Sequence, residues 1–379
     1  MKEEVSPFLF GSGVSKATFV NREEEIKRLS INFRSGINTI MISPRRWGKS
    51  SLVLETSRRM QNEKKIRFCF IDLFSIHTEH EFYQALSREA LKATSTKVED
   101  WIKAGREFFK GIIPRFSVGI DPQHDFSVNF DWKQAEQHRN EILQMPEEIA
   151  TKRGIRLVVC LDEFQNIKYF RDSEKVEKNL RAVWQHHKNV SYCLYGSKRH
   201  MMIDLFNSPS RAFYRFGDMF FLQKISKEHW EKFIVEKFLG TDKFITKVNA
   251  AQIVDTMQCH SYYVQQFAHL VWMHTQKKVS EETIQTSLGE LLNFNALFYQ
   301  TVIENLSATQ INFLHALVNG IEKFTAVEAM RTYSLGTPRN VTKSKIALEG
   351  ADIIDVSGGK VAFLDPAFEL WVKGVYFKN

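Results

Sequence analysis

The stretch Asn38–Val53, NTIMISPRRWGKSSLV, has the residue types and the spacing of a loop that binds phosphate. Its apolar residues 39–42 predict a short buried strand, and a helical pattern begins after the Gly-Lys-Ser-Ser of residues 48–51. Backbone N–H groups of such a loop point at phosphate oxygens, and the positive N-terminal end of the following helix adds to the attraction. The layout of strand, loop and helix therefore predicts a nucleotide site.

Individual residues of this loop have distinct expected roles. Gly48 allows a close backbone approach because it lacks a Cβ. Lys49 would reach the β- and γ-phosphates of ATP, and Ser50 would hold Mg²⁺ through its hydroxyl. The full motif has a glycine where this chain has Ser43, so an incidental surface loop is the alternative. If the motif is functional, the whole loop contacts the nucleotide: Ser43, Pro44, Arg45, Arg46, Trp47, Gly48, Lys49, Ser50 and Ser51.

A second stretch places two acids at the end of an apolar run. Residues 155–164, IRLVVCLDEF, predict a strand that is covered on both faces and ends near Asp162 and Glu163. Ligands of open α/β sheets bind beyond the carboxyl ends of the strands. We therefore expect Asp162 to position Mg²⁺ and Glu163 to polarise the attacking water. Two solvated acids after an ordinary strand are the alternative.

Two further polar residues are candidates for catalysis. Ser197 follows a predicted strand at 191–197 and could touch the γ-phosphate or the attacking water, although serine in this position is often a turn residue. Arg215 could act as an arginine finger on a neighbouring subunit, which requires a homo-oligomer. The sequence contains no Asn-Lys-x-Asp motif for reading guanine, and this favours ATP over GTP.

The elements that must position these residues follow the pattern of an α/β protein. Apolar runs alternate with helical patterns and predict a doubly wound, mostly parallel, five-stranded sheet of the P-loop type. This core would occupy residues 1–225. An insert near 97–132 contains an alternating pattern over 117–130, which predicts a hairpin around Asp121-Pro122. The predicted strands lie roughly at 38–43, 66–74, 155–164, 191–197 and 218–225.

Residues 226–379 change in character. Residues 226–306 predict only helices, as in a small lid domain that would close over the nucleotide. Residues 307–379 predict three helices and then a hairpin at Gly358-Gly359, which is the layout of a winged helix-turn-helix domain.

The third helix of the predicted winged domain carries Arg339, Lys343 and Lys345, which could meet DNA phosphates in a major groove. Winged helices also bind proteins, and residues 307–379 are nearly neutral, with eight Lys and Arg against seven Asp and Glu. Both kinds of partner stay open at this point.

Length and composition are those of a multidomain globular protein. A chain of 379 residues predicts two or three domains. The formal net charge of +8 permits an anionic partner without requiring one. Four widely spaced cysteines, most of them in apolar runs, predict reduced thiols and a cytoplasmic protein. The N-terminus does not read as a signal peptide, and no apolar run approaches the roughly 20 residues of a membrane helix.

Nearly the whole chain resembles the archaeal-type ATPases, prokaryotic P-loop proteins of the AAA+/STAND group. The entry motif is similar to F-x-[GN]-R-E, the loop to G-P-R-R-x-G-K-[ST], and the acidic strand end to I-D-E-F-Q. A Gly-Ser pair after a strand, an arginine segment, a lid motif and a C-terminal D-P-x-F-x-x-W also match in part. These matches lie at Phe19–Glu23, Ser43–Ser50, Leu161–Gln165, Gly196-Ser197, Phe213–Arg215, His260–Gln265 and Asp365–Trp371.

The resemblance implies a nucleotide-binding core, a helical lid and a winged helix, much as in origin-recognition ATPases. It implies that Phe19 and Val20 contact the adenine base and that Arg22 belongs to the same binding segment, while Asn21 would cap the helix that follows. The lid motif lacks the family's Gly and Pro, so no sensor arginine is assigned there. Many relatives carry a nuclease-like domain after D-P-x-F, and none is expected before Asn379.

Together these patterns predict an Mg-ATP-dependent switch that hydrolyses ATP and acts on DNA through its winged helix. The alternative is a signalling or defence ATPase whose winged helix docks another protein and whose turnover is slow.

Overall fold

The computed structural model describes residues 5–11, 19–95, 97–108, 114–119, 121 and 125–378. Its contacts divide the chain into two compact units. One unit is Arg22–Gln223, and the other combines Met1–Asn21 with Lys224–Asn379. The division into a core at 1–225, a lid at 226–306 and a winged domain at 307–379 stays a prediction.

The unit Arg22–Gln223 is built on a parallel sheet of five strands in the order β2-β5-β6-β1-β7, which confirms the predicted α/β class. β1 lies between β6 and β7, so both neighbours of this strand come from much later in the sequence. All seven residues of β6 are buried, as expected for a strand covered on both faces. The strands are β1 Thr39–Ile42, β2 Ile66–Asp72, β5 Arg156–Asp162, β6 Val190–Gly196 and β7 Asp218–Phe221.

Helices connect these strands and cover the sheet. The start of α3 shows why one of them begins where it does: Thr78 accepts a hydrogen bond from the Glu81 N–H, and the Glu81 carboxylate reaches back in a capping box. The helices of this unit are α1 Glu23–Ser35, α2 Lys49–Arg59, α3 Glu79–Lys92, α4 Val98–Phe108, α5 Trp132–Gln137, α6 Arg139–Arg153, α7 Ser173–Trp184 and α8 Arg199–Asn207.

The hairpin predicted in the insert is present. Its strands, β3 Arg115–Ser117 and β4 Ser127–Asn129, pair antiparallel. Phe126 stacks on Phe116 at 6.0 Å between ring centroids and lies 5.2 Å from the ring of Trp101 in α4. Pro122, at the predicted turn, lies outside the described residues. The insert therefore packs on its own helix through aromatic side chains.

The second unit is helical apart from one antiparallel hairpin, β8 Ile354–Ser357 with β9 Lys360–Phe363, within the part of the chain that the structure describes. No helix among these residues has the length and apolar character needed to cross a membrane. Its helices are α9 Lys227–Leu239, α10 Lys247–Thr256, α11 Ser261–His274, α12 Glu281–Glu304, α13 Ala308–Val318, α14 Val327–Thr332, α15 Pro338–Gly350 and α16 Pro366–Trp371.

The lid motif at the start of α11 connects distant parts of this second unit. The Tyr263 hydroxyl donates to the Asp365 carboxylate, which also accepts from the Phe368 N–H at 2.9 Å and so caps α16. The backbone N–H of Leu9 donates to Gln265 Oε1 at 3.0 Å. The motif thus joins the N-terminal segment and the C-terminal D-P-x-F motif to one helix.

Candidate nucleotide site

The carboxyl ends of β1 and β6 hold the Gly-Lys-Ser loop at the edge of the sheet. The Ser43 N–H donates to the Gly196 carbonyl at 3.4 Å, which continues the pairing of the two strands into the loop. Lys49 is only 5% exposed, and its ammonium donates to the carbonyls of Ser43 and Pro44 at 2.9 and 3.0 Å. The positively charged ammonium of Lys49 is therefore held by the backbone carbonyls at the start of the loop.

The backbone of the loop has the conformation that the motif requires. Gly48 has φ 94° and Arg46 has φ 63°, both in the left-handed region. Gly48 precedes α2 without a capping side chain, so the first turn of α2 presents its N–H groups and its positive dipole end toward the loop. Among the other loop residues, Arg45 and Arg46 are exposed, while Ser51 is half-buried in the first turn of α2.

Arg22 contacts the backbone of the Gly-Lys-Ser loop. Its guanidinium is 5% exposed and donates to the Trp47 carbonyl at 3.3 Å, to the Gln223 carbonyl at 2.6 Å and to the Glu25 carboxylate at 2.8 Å. Burial lowers the pKa of Arg22 from its ordinary value, and the ion pair with Glu25 opposes that shift. The side chain thus ties the loop to the chain after β7.

Asp162 and Ser50 meet at the end of β5. The Ser50 hydroxyl donates to Asp162 Oδ2, and the Glu163 N–H donates to Oδ1 at 2.8 Å. Burial raises the pKa of Asp162 to about 6, and the neighbouring Glu163 carboxylate adds to the shift, while Ser50 and Lys49 oppose it. A half-buried carboxylate next to a hydroxyl offers hard oxygen ligands and lacks full charge compensation, so this pair fits Mg²⁺.

Glu163 lies in the left-handed region with φ 49°, which turns its side chain away from the strand direction. Its Oε2 accepts from the Ser197 hydroxyl at 2.7 Å, from the Ser197 N–H at 3.4 Å and from the Gln165 side-chain amide. Two of the predicted catalytic residues, Glu163 and Ser197, are thus in direct contact. β5 and β6 are neighbours, and this places the ends of the two strands together.

The remaining predicted site residues are Arg215 in the first unit and Phe19 and Val20 in the second. Arg215 is exposed, has φ 51° and places its guanidinium 5.2 Å from the centre of the Tyr214 ring. Phe19 and Val20 belong to the second unit, where Val20 is buried in the apolar core. The adenine contact predicted for Phe19 and Val20 and the finger role of Arg215 stay predictions.

The basic residues predicted to contact DNA lie on α15 of the second unit. Arg339 and Lys343 are exposed, whereas Lys345 is half-buried. Thr337 caps this helix by accepting from the Asn340 N–H, and Pro338 occupies its first turn. The two exposed residues are four positions apart, which places them on one face of the helix.

Sequence reasoning gave no role to Gln165, which contacts Glu163. The available signal was a polar residue directly after the apolar Phe164, since a buried polar side chain needs a partner. Arg22 contacts the backbone of the loop, and its expected place in the nucleotide-binding segment stays a prediction.

A family model described as an ATPase domain found predominantly in Archaea matches residues 19–267. The chain therefore belongs to this family, and the Gly-Lys-Ser loop after the first strand of the parallel sheet has the layout of a P-loop. No curated protein matches the sequence.

Two solved structures have a similar fold. The Walker-type ATPase paby2304 of Pyrococcus abyssi aligns with a TM-score of 0.64 and 15% identity over 94% of this chain and 96% of that chain. The ORC2 protein of Aeropyrum pernix, solved in ADPNP–ADP complexes, aligns with a TM-score of 0.53 and 14% identity over 100% of this chain and 98% of that chain. At these identities the likeness establishes the fold.

The raised pKa of Asp162 gives a prediction for the protein without ligands. Because the folded pKa of about 6 exceeds the ordinary 3.8, stability is highest with the carboxyl protonated and falls as pH rises through 6. We expect Asp162→Asn to raise the free energy of unfolding by about 1–3 kcal/mol at pH 7.5 and by much less near pH 4. Denaturation followed across this pH range checks it, and a gain that does not depend on pH would contradict the assigned cause.

Proposed function

We propose that this protein binds Mg-ATP at the edge of the sheet and hydrolyses it as a nucleotide-dependent switch. The observation that carries the proposal is the meeting of Lys49, Ser50, Asp162 and Glu163 beyond the carboxyl ends of β1 and β5, which β6 separates in the sheet. A cation for phosphate oxygens, oxygen ligands for a metal and a carboxylate for water then lie at one place.

Each residue has a role in this proposal. The loop N–H groups and Lys49 bind the phosphates, and Lys49 exchanges the carbonyls of Ser43 and Pro44 for the oxygens of the substrate. Ser50 and Asp162 would hold Mg²⁺, which neutralises charge that develops on the phosphates. Glu163 accepts a proton from the attacking water, and Ser197 contacts the γ-phosphate. Arg22 keeps the loop in shape through the Trp47 carbonyl.

Two substitutions separate binding from hydrolysis. Lys49→Ala should abolish detectable ATP binding because it removes the cation at the phosphates. Glu163→Gln should keep the ATP affinity and lower kcat by about 100-fold or more, the usual share of a general base. Calorimetric titration with ATP and a phosphate-release assay measure both, and Lys64→Ala, at an exposed lysine of the same unit, is the control. If Glu163→Gln hydrolysed ATP at the wild-type rate, the role of Glu163 would be wrong.

We also propose that the active form is a homo-oligomer in which Arg215 acts on the nucleotide of a neighbouring subunit. Its exposure and its left-handed backbone, held by a hydrogen bond from its N–H to the Phe206 carbonyl at 3.3 Å, support this role. A fixed backbone limits the reach of a charged side chain to a defined direction, as a finger requires.

A mixing experiment tests the finger. Arg215→Ala and Lys49→Ala should each be inactive alone, since one lacks the finger and the other cannot bind ATP. An equimolar mixture should regain turnover because Lys49→Ala subunits supply Arg215 to ATP-bound neighbours. Phosphate release at constant total protein measures it. A mixture as inactive as its components, or full activity of Arg215→Ala alone, counts against the assignment.

Helices α13–α15 with the β8–β9 hairpin support a winged helix that contacts DNA, with Arg339 and Lys343 on the exposed face of α15. The weak net charge of residues 307–379 supports the competing function, in which the same domain docks a protein and the ATPase serves in signalling or defence.

The salt dependence of binding decides between these partners. If the winged domain contacts DNA, Arg339→Ala and Lys343→Ala should each reduce the slope of log affinity against log salt concentration by about one. Fluorescence anisotropy with a labelled duplex measures the slope with and without ATP. Lys232→Ala, at an exposed lysine of α9, is the control. Wild-type binding that does not respond to salt would favour the protein partner.

A further inference from the structure

We propose that Gln165 is a positioning residue that clamps the Glu163 carboxylate against Ser197 in a resting arrangement, from which Glu163 must be released before it acts on water. This inference rests on the proposed ATPase function and concerns the regulation of the same site. It assigns a role to a residue that family membership and motif position leave without one.

The first support is the hydrogen bonding of the Gln165 amide. Its side chain is 1% exposed, and the one hydrogen bond that it makes among the described residues goes from Nε2 to Glu163 Oε2. Its Oε1 is buried with no hydrogen-bond partner in the described part of the chain. Buried polar groups are normally paired, so an amide that leaves its carbonyl unpaired contributes little to stability. We therefore attribute the position of the Gln165 side chain to its hydrogen bond with the Glu163 carboxylate.

The second support is the position of Ser197. Its hydroxyl and its N–H both donate to the same oxygen, Oε2, that accepts from Gln165. Ser197, which is expected to contact the γ-phosphate, and Glu163, which is expected to contact water, are therefore hydrogen-bonded to each other. Glu163 Oε2 already accepts from three protein donors, so a water molecule that approaches this oxygen must compete with them. Arrival of a phosphate at Ser197 would remove two donors and leave the Gln165 contact as the remaining restraint.

The third support is the absence of a side chain at residue 196. A Cβ built on Gly196 would lie 1.9 Å from Gln165 Oε1 and 2.9 Å from the Met202 sulfur. Glycine at the end of β6 therefore leaves the space that the Gln165 amide occupies. A Cβ at position 196 would therefore require the Gln165 amide to move from its place beside Glu163.

The main test replaces the amide by a side chain of similar length without a donor. Gln165→Met should raise kcat for ATP about three- to tenfold, the ratio that corresponds to one lost hydrogen bond. The affinity for a non-hydrolysable ATP analogue, measured by calorimetry, should stay within about twofold. A general loosening of the segment would change affinity and kcat together, whereas release of the clamp changes kcat alone.

The neighbouring amide provides a matched control. Asn166 is half-buried, and its side chain donates from Nδ2 to the Leu73 carbonyl at 3.2 Å. Its backbone N–H donates to the Glu163 carbonyl at 2.9 Å, but among the described residues its side chain makes no hydrogen bond to the Glu163 carboxylate. Asn166→Ala should leave kcat unchanged even if it lowers the melting temperature. Equal acceleration in Asn166→Ala and Gln165→Met would overturn the clamp, because it would trace the effect to the segment as a whole.

A double-mutant cycle tests the contact between positions 165 and 196 through both the melting temperature and kcat. Gly196→Ala should lower the melting temperature and raise kcat, because its methyl group displaces the Gln165 amide. In Gly196→Ala/Gln165→Ala the small side chain at 165 admits that methyl group. The melting temperature should then be higher than additivity of the single changes predicts, and kcat should not exceed that of Gln165→Ala. Strict additivity of both quantities would overturn the proposed contact.

The outcomes separate this inference from the proposed function. Wild-type protein that hydrolyses ATP, with kcat unchanged or lowered in a folded Gln165→Met that binds the analogue normally, overturns the clamp and leaves the ATPase in place. Failure of every variant and of the wild type to bind or hydrolyse Mg-ATP overturns the proposed function, and the clamp falls with it even if the stability cycle shows the contact.

Discussion

The place of β6 between β1 and β5 is the constraint on which the candidate site depends. Because the strands are parallel, their carboxyl ends lie on one edge, and β6 separates the loop after β1 from the acids after β5 by one strand. The hydrogen bond from Ser43 to Gly196 continues the pairing of β1 with β6 into the loop. A slip of this pairing would move Lys49 away from Asp162, so the register of a fully buried strand fixes the chemistry.

Charged groups in this region are buried or half-buried although burial disfavours charge. Arg22 and Lys49 are each 5% exposed, and both donate to backbone carbonyls. Asp162 accepts two hydrogen bonds and still has a raised pKa. Glu25 compensates the charge of Arg22. The remaining arrangement favours a ligand that brings both phosphate oxygens and a cation, because such a ligand compensates the charges of Lys49 and Asp162 together.

The sequence was sufficient for the sheet and for the residues at strand ends, because apolar runs mark buried strands and short motifs mark the loops between them. Lys49 and Asp162 were located in this way. Contacts between residues far apart in the chain were not predictable. Asn21 has the favoured residue type for a helix cap, yet the structure has Arg22 directly before α1, since a left-handed backbone there brings its guanidinium to Trp47. The contact of Gln165 with Glu163 depends on the absence of a side chain at Gly196. The pattern of apolar and polar residues in the sequence does not reveal this dependence.

The strand order also affects how the protein is made. β1 leaves the ribosome early, but its two neighbours, Val190–Gly196 and Asp218–Phe221, follow only after most of this unit has been translated. Until then an apolar strand has both of its edges unpaired, which invites association with other chains. The nucleotide site is also incomplete at that stage, since the loop after β1 is present before β5 and β6, whose ends carry Asp162 and Ser197, have been made.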